Sequence, residues 1–343
     1  MNSSFNQDCG QDWGDGPEGG LVVGLDAGGT RTRAVLAAAR DGRSLGEGAA
    51  GPGNALTVPV PRLTEHLAEA VAQAVPEPAR GRVVAVAGGF AGASGTSPDE
   101  PGRHNARTAL TAALRGLGIT TEAIGISSDI EAAFASAPGA PADGLALVAG
   151  TGAVAMRISG RRCALTVDGD GWLLGDDGSG FWIGRSAVRA ALRMADGRGG
   201  PTVLAGSVAR AFELPADVLP HASGDAWAPD RREEYRRRLL PAVMAQPPIR
   251  LARLAPVVAQ AARDEDPVAE AILDRAADHL AESVRALAPR PGEPLVATGG
   301  LLGPDGPLTA PLADRLRPLG LSADWVADGC RGAVALARLL IGL

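Results

Sequence analysis

The sequence predicts an α/β protein built on a repeated unit, and three features of the chain carry that prediction. Short apolar runs rich in Val, Leu and Ile alternate with stretches of helical spacing. A strand–glycine turn–strand pattern occurs twice, around Gly28 and around Gly150, roughly 120 residues apart. A further apolar run ends in a glycine pair, Gly299-Gly300, after both of them.

The elements follow in order. Leu21–Leu25 is an apolar run that reads as a strand and is broken by Asp26–Gly29. Thr32–Ala39 reads as its hairpin partner across a glycine turn. A dinucleotide-binding opening differs, because there the glycine turn leads into a helix. A weaker strand over 44–50 precedes the turn-rich Gly51-Pro52-Gly53-Asn54. Residues 61–74 place Leu63, Leu67, Ala70 and Val71 on one helical face. A strand over 82–87 ends in Gly88-Gly89-Phe90-Ala91-Gly92, and 104–117 reads as a helix. A short strand over 124–127 ends at Ser128-Asp129 and passes into a helix over 130–137.

The Pro/Gly/Ala-rich segment 138–143 marks the passage between two domains. Strands over 144–148, 153–158 and 164–167 follow, the first two joined by Ala149-Gly150-Thr151-Gly152. Residues 168–184 form a dense Gly/Asp/Trp loop. The pattern over 186–288 is mainly helical, and its charged stretch 230–238 reads as a solvated helix face. A strand over 294–298 enters Gly299-Gly300, and an alanine- and leucine-rich helix over 329–343 closes the chain.

The bulk composition bounds the function. A length of 343 residues suits about two domains. Aromatics are only 3% of the chain, so the core must be built from Ala, Val and Leu. A net charge of -6 argues against nucleic acid and against anionic membrane surfaces as partners. All 33 basic residues are arginine. A phosphate loop of the Walker type needs a lysine, so any ATP site here is expected to rely on backbone N–H groups, hydroxyls and a metal ion. Cys9, Cys163 and Cys330 are too far apart for a zinc motif and too few for a disulfide framework. No run reaches the roughly 18 apolar residues of a membrane span. Residues 1–20 are polar and read as a disordered leader, not a signal peptide, and a cytoplasmic location is expected.

The glycine turns carry the chemistry. Glycines let backbone N–H groups approach phosphate oxygens without a Cβ in the way. In Asp26-Ala27-Gly28-Gly29-Thr30 the threonine adds a donor, and Asp26 at the strand end would hold magnesium through water, since that ion sheds its water reluctantly. Two such turns, with Gly299-Gly300 in the right order after them, point to a nucleotide site. Asp168, Asp170, Asp176 and Asp177 could suggest a metal cluster, but a solvated acidic loop is the expectation. Trp172 and Trp182 could stack on a ring, but packing in a core poor in aromatics is expected.

The set Asp26–Thr30, Ala149–Gly152 and Thr298-Gly299-Gly300 resembles the two phosphate motifs and the adenosine motif of the actin and hexokinase superfamily. The loop Gly171-Trp172-Leu173-Leu174-Gly175-Asp176-Asp177-Gly178-Ser179-Gly180-Phe181-Trp182-Ile183-Gly184 resembles the signature of the N-acetylglucosamine kinase branch, which shares a family with the BadF/BadG-type ATPases. The resemblance runs from about Leu21 to the end of the chain. It implies a two-lobed actin-like ATPase fold of duplicated ribonuclease H-like domains. The first lobe would be 21–139 with 330–343 and the second 140–329, closing on ATP and sugar.

The resemblance also implies roles. Gly28, Gly29, Thr30, Arg31, Gly150, Thr151, Gly152, Gly299 and Gly300 would bind ATP, and Asp26 would hold Mg2+ through water. Asp129 would be the general base, taking the proton of an attacking sugar hydroxyl; as an Asp opening a helix, it would also serve as an N-cap. Asn54, Gly152, Gly169, Asp170, Gly171 and Asp176 would line the sugar, although Asn54 equally suits a turn. Relatives often carry an aromatic where this chain has Asp170, and a carboxylate there would favour a free amine over an acetamide. The implied activity is phosphorylation of N-acetylglucosamine or a related amino sugar, at the 6-hydroxyl, by a homodimer. Two other jobs fit the same fold. An ATPase that activates radical dehydratases would need convergent cysteines for an iron–sulfur cluster, and the spacing here offers none. A sugar-sensing regulator would need a DNA-binding segment, and residues 1–20 are too few and too polar for one.

Overall fold

The computed structural model describes residues 19–93, 100–220 and 227–343. Nearly all of the expected leader, with Cys9, lies outside the described residues. The chain divides into two compact units. The first runs to Ser136 and takes back Gly329–Leu343, and the second is Ala137–Asp328. Among the described residues, no helix is long and apolar enough to cross a membrane.

The first unit is a five-stranded sheet in the order β3-β2-β1-β4-β5, with β1 Leu21–Ala27, β2 Thr32–Ala38, β3 Ser44–Ala50, β4 Val83–Phe90 and β5 Ala123–Ser128. β1 pairs antiparallel with β2, and parallel with β4. Its Leu21, Val22, Val23 and Leu25 are all buried, which is why it reads as a continuous apolar run and not an alternating one. One face is covered by α10 (Cys330–Leu339), and a Cβ on Gly24 of β1 would come within 2.6 Å of the Val334 backbone nitrogen. α1 (Val60–Ala74) buries the expected face of Leu63, Leu67, Ala70 and Val71. Each leucine there stabilises the unit by about 1.5–3 kcal/mol.

α2 (Pro101–Gly116) begins three residues before the periodicity alone places it. The Glu100 carboxylate accepts the N–H groups of Gly102 and Arg103, and Pro101 occupies the first turn, where its missing N–H costs nothing. α3 (Asp129–Ala135) follows β5 directly.

The second unit repeats the pairing scheme. Its sheet runs β10-β9-β6-β7-β8, with β6 Gly144–Ala149, β7 Ala153–Ser159, β8 Arg162–Asp168, β9 Leu295–Thr298 and β10 Ala323–Val326. β6 takes the place of β1: antiparallel to β7, and parallel to β9. The helices are α4 Gly180–Ala195, α5 Leu204–Ala211, α6 Pro229–Met244, α7 Ala255–Arg263, α8 Pro267–Ala286 and α9 Thr309–Leu316. α6 contains the charged stretch and buries only Tyr235 and Leu239, as a solvated helix should. The buried Asp266 ties this helical layer together. One oxygen caps α8 through Val268 and Ala269, and the other accepts Thr202 Oγ1 at 2.8 Å and the Val203 N–H at 2.7 Å. Two elements, α9 and β10, lie where the periodicity marks none.

Candidate active site

The expected site residues fall into two sets, one per unit. In the first unit, the β1–β2 register closes at Ala27 and Thr32 and leaves Gly28–Arg31 as the turn. Gly28 N–H donates to the Arg31 carbonyl at 2.9 Å, while Gly29, Thr30 and Arg31 stand exposed at the tip. A Cβ on Gly29 would meet no atom within 4 Å, so the space beside it is open.

Asp26 lies just inside the turn, with its Oδ2 3.4 Å from Arg33 Nη1. A carboxylate already facing a guanidinium is a poor direct ligand for a bare divalent ion. It suits contact through water with a metal carried by the nucleotide, so the residues fit Mg2+ in that outer position.

The loop after β3 is fastened to this turn. Gly53 N–H donates to the Gly28 carbonyl at 2.8 Å, and a Cβ on Gly53 would sit 2.6 Å from Ala27 and Thr32. Asn54 is thereby fixed. Its Oδ1 accepts from Leu56 at 2.9 Å and Thr57 at 3.1 Å, as a turn asparagine does. With Oδ1 so engaged, the amide NH2 remains as a donor. The turn role and the sugar role are therefore compatible in one side chain.

Asp129 corrects one expectation. The N-cap of α3 is Ser128, not Asp129. Ser128 Oγ accepts the Glu131 N–H, and the Glu131 carboxylate accepts the Ser128 N–H, a complete capping box. Asp129 is the first helical residue, and its carboxylate accepts the neighbouring Ile130 N–H at 3.0 Å. Burial pushes the Asp129 carboxyl above its ordinary value, and the Glu131 charge adds a little; the Ile130 N–H and its own backbone N–H pull the other way. Gly89, at the end of β4, packs against Asp129, and Gly92 packs against Asn54.

In the second unit the turn is Gly150-Thr151-Gly152, between the paired Ala149 and Ala153. Gly150 N–H donates to the Gly152 carbonyl at 2.9 Å. The first two N–H groups of α4 are spent on the turn itself, Gly180 to the Gly150 carbonyl at 2.8 Å and Phe181 to the Thr151 carbonyl at 3.2 Å.

The acidic loop behind the turn is organised by one carboxylate. Asp168, in the left-handed region at φ 62°, accepts the N–H groups of Gly169, Asp176 and Asp177 at 2.7, 2.6 and 2.8 Å. Asp176, also left-handed at φ 56°, accepts the Ala153 N–H at 3.1 Å. Its Oδ1 would lie 2.8 Å from a Cβ on Gly152, so only glycine fits there. Burial raises the Asp176 carboxyl above its ordinary value, and the charges of Asp168, Asp170 and Asp177 raise it further, against the Ala153 N–H. Gly169 and Gly171 take left-handed turns on either side of the exposed Asp170. Among the described residues these aspartates form no metal-ligating cluster. Trp182 packs edge-on against His279 at 5.0 Å, while Trp172 sits edge-on to Phe181 at 5.8 Å and stays 39% exposed.

Gly299, at φ 103°, brings the glycine pair against the second turn. A Cβ there would lie 2.2 Å from the Ala149 carbonyl oxygen, and Leu301 N–H donates to that same oxygen at 3.2 Å. Gly150, Thr151 and Gly300 open onto a cavity of about 880 Å³ with Pro256, Ala259 and Leu301 on its apolar walls. That shape and lining suit a purine nucleotide.

Arg250, Arg253 and Arg263 line the same cavity. Among the described residues none of the three is in an ion pair: Arg253 lies over the Phe212 ring at 5.3 Å, and Arg263 donates to Gln260. Basic side chains thus stand beside the second turn, next to its backbone and hydroxyl groups. These arginines come from a segment about a hundred residues past the turn, which the packing of 248–254 and α7 against α4 carries to it. The radical-activase reading gains nothing: Cys163 is half-buried on β8 and Cys330 is buried at the start of α10.

Comparison with known proteins bears on the family and the fold. The model of the BadF/BadG/BcrA/BcrD ATPase family matches residues 23–310. An N-acetylmuramic acid/N-acetylglucosamine kinase of Clostridium acetobutylicum is 27% identical over 189 residues, which are 54% of this chain and 58% of that protein. This chain thus matches little more than half the length of that curated relative. A protein of Chromobacterium violaceum assigned as an N-acetylglucosamine kinase has a solved structure that is 25% identical, with TM-score 0.62, over 92% of this chain and 98% of that one. One of Porphyromonas gingivalis, assigned likewise, is 21% identical with TM-score 0.65, over 93% and 99%. The latter likeness speaks for the two-unit actin-like fold.

Proposed function

The chain belongs to the BadF/BadG/BcrA/BcrD ATPase family, and from that membership we propose that it is an ATP-dependent kinase of amino sugars. It transfers the γ-phosphate to a hydroxyl, the 6-hydroxyl by family resemblance, of N-acetylglucosamine or a close relative such as glucosamine. The named relatives support the substrate class. The observation that carries the reading is Asp129: the helix is capped by Ser128, so the Asp129 carboxylate is left for chemistry.

In the reaction, Asp129 takes the proton of the sugar hydroxyl as that oxygen bonds to the γ-phosphorus, and the bond to the bridging oxygen breaks to release ADP. Asn54 donates from its amide to a sugar hydroxyl, and Asp176 accepts from another. The N–H groups at the exposed tip 29–31 and the Thr30 hydroxyl offer donors to phosphate oxygens, as the Thr151 hydroxyl does in the second unit. Asp26 would hold Mg2+ through water, and the ion would supply charge neutralisation. Asp170, exposed and in no ion pair among the described residues, favours a free amine on the sugar. The working form is proposed to be a homodimer in the cytoplasm.

The test is a screen of amino sugars with ATP, read as ADP release, on the native protein and on Asp129→Asn. The substitution is expected to lower kcat by about 10²–10⁴ while nucleotide affinity stays within a few-fold. A variant with undiminished turnover sinks the assignment of the base. In the native protein, kcat/KM should also fall on the acid side at a pH above the ordinary carboxylate range, because the folded carboxyl is raised and must be ionised to accept the proton.

A further inference from the structure

Asn54 sits on the segment Gly51-Pro52-Gly53-Asn54 between β3 and α1, and the two glycines make that segment costly to order. Two helices supply the anchors. The periodicity of α1 marks an apolar face, and the structure sets His66 into it, 7% exposed on the same face as Leu63, Leu67 and Ala70. A buried imidazole needs a partner. A carbonyl can only accept, so the His66 Nδ1–H donates to the Pro52 carbonyl, at 2.7 Å. The ring packs against the loop as well: a Cβ on Gly51 would lie 2.5 Å from His66 Nε2. On the other side of Asn54, α2 sends Asn105, whose Nδ2 donates to the Ala55 carbonyl at 3.0 Å. The Ala55 N–H donates to the Ala91 carbonyl at 2.8 Å, so that residue is held at both backbone groups. Between these anchors the Asn54 side chain takes the Leu56 and Thr57 N–H groups on its Oδ1.

We propose that His66 and Asn105 are positioning residues that fix where the Asn54 amide is presented to the sugar. The proposal rests on the amino-sugar kinase reading and adds two residues that set sugar affinity by acting through Asn54. Pro52 lies two residues before Asn54 and Ala55 one after it, so a carbonyl released at either place lets the amide drift. A displacement of about 1 Å in a substrate-orienting group is costly. The first glycine turn is joined to this loop through Gly53 and keeps its own Gly28–Arg31 bond, so the loss falls on the sugar more than on ATP.

The test is steady-state kinetics on the full chain, with ATP and either N-acetylglucosamine or glucosamine varied in turn. His66→Leu keeps the bulk and removes the donor, and Asn105→Leu does the same on the other side. Each should raise the sugar KM about tenfold, with ATP KM and kcat within about three-fold of the native values. His66→Asn keeps an N–H the same number of bonds from Cα and should restore most of the loss. In an Asn54→Ala background, His66→Leu should change the sugar KM less than about twofold, because the group it places is gone. A purely structural role would instead lower the active fraction, and so kcat, at unchanged KM; that result overturns the proposal. An equal rise in KM in both backgrounds also overturns it. Should His66→Leu fail to fold, Asn105→Leu in both backgrounds decides by the same criteria. If Asn54→Ala leaves the sugar KM unchanged in an enzyme that turns over, the positioning role falls and the kinase reading stands. If the native protein phosphorylates neither sugar, both fall.

Discussion

The two units share one strand order and one strand–glycine turn–strand motif, yet they hold that turn in opposite ways. The first turn is nearly free. Beyond its own Gly28–Arg31 bond, the Gly53 N–H fastens it at the base, and its tip is exposed. The second is clamped on three sides. The start of α4 donates to it twice, Asp176 fills the space beside Gly152, and Gly299 leans on the Ala149 carbonyl. The same topology thus yields one turn that can adapt to a ligand and one whose shape is set beforehand. Preorganised donors act without reorganisation at the moment of reaction, whereas an open tip is free to order around the phosphates.

Gly299→Ala should have the largest effect on the fold. It forces a non-glycine residue to φ 103° and puts a methyl 2.2 Å from the Ala149 oxygen. Backbone strain and overpacking together predict a loss of about 3 kcal/mol. A urea midpoint unchanged from the native protein would show that the second turn is not clamped from this side.

Asp176→Asn is the next sharpest test. The amide oxygen still accepts the Ala153 N–H, so the geometry is kept while the buried charge is removed. The folded carboxyl is raised above its unfolded value, so its ionised form is disfavoured by the fold, and that destabilisation is present above the folded pKa. The variant should therefore be more stable than the native protein at pH 7. The gain should shrink as pH falls through the raised pKa and vanish below the unfolded value. Urea titrations at several pH values read this directly. A gain that does not change with pH would deny the electrostatic origin.

The contrast between the units also explains what the sequence disclosed. The first sheet is legible strand by strand because β1, β2 and β4 carry runs of buried Val, Leu and Ala. In the second sheet β10 is Ala-Asp-Trp-Val, and only Val326 is buried. That edge strand exists because β9 offers it a parallel partner, a tertiary fact that no local pattern encodes. α9 is short and carries Pro311 near its start. The glycine turns and the acidic loop were readable because their chemistry is local. The arginines lining the cavity beside Gly150 were not, since helix packing brings Arg250 and Arg263 there. Ser128 was hidden behind the more conspicuous Asp129, although Ser-Asp-Ile-Glu is a capping box in plain sequence.

The smallest expected effect is the one that would most directly break the comparison. Gly29 in the first turn has no positive φ, and a methyl there would meet nothing within 4 Å. Gly29→Ala should leave stability within about 0.5 kcal/mol of the native protein, as an exposed substitution without strain does. Its cost should fall on the ligand, because the methyl stands where a phosphate oxygen must approach the N–H. The KM for ATP is expected to rise several-fold with kcat and sugar KM little changed. Steady-state kinetics with ATP and sugar varied in turn decides the matter. A large loss of stability would mean that the first turn is held as firmly as the second, and an unchanged KM would mean that its open N–H groups do not meet the phosphates.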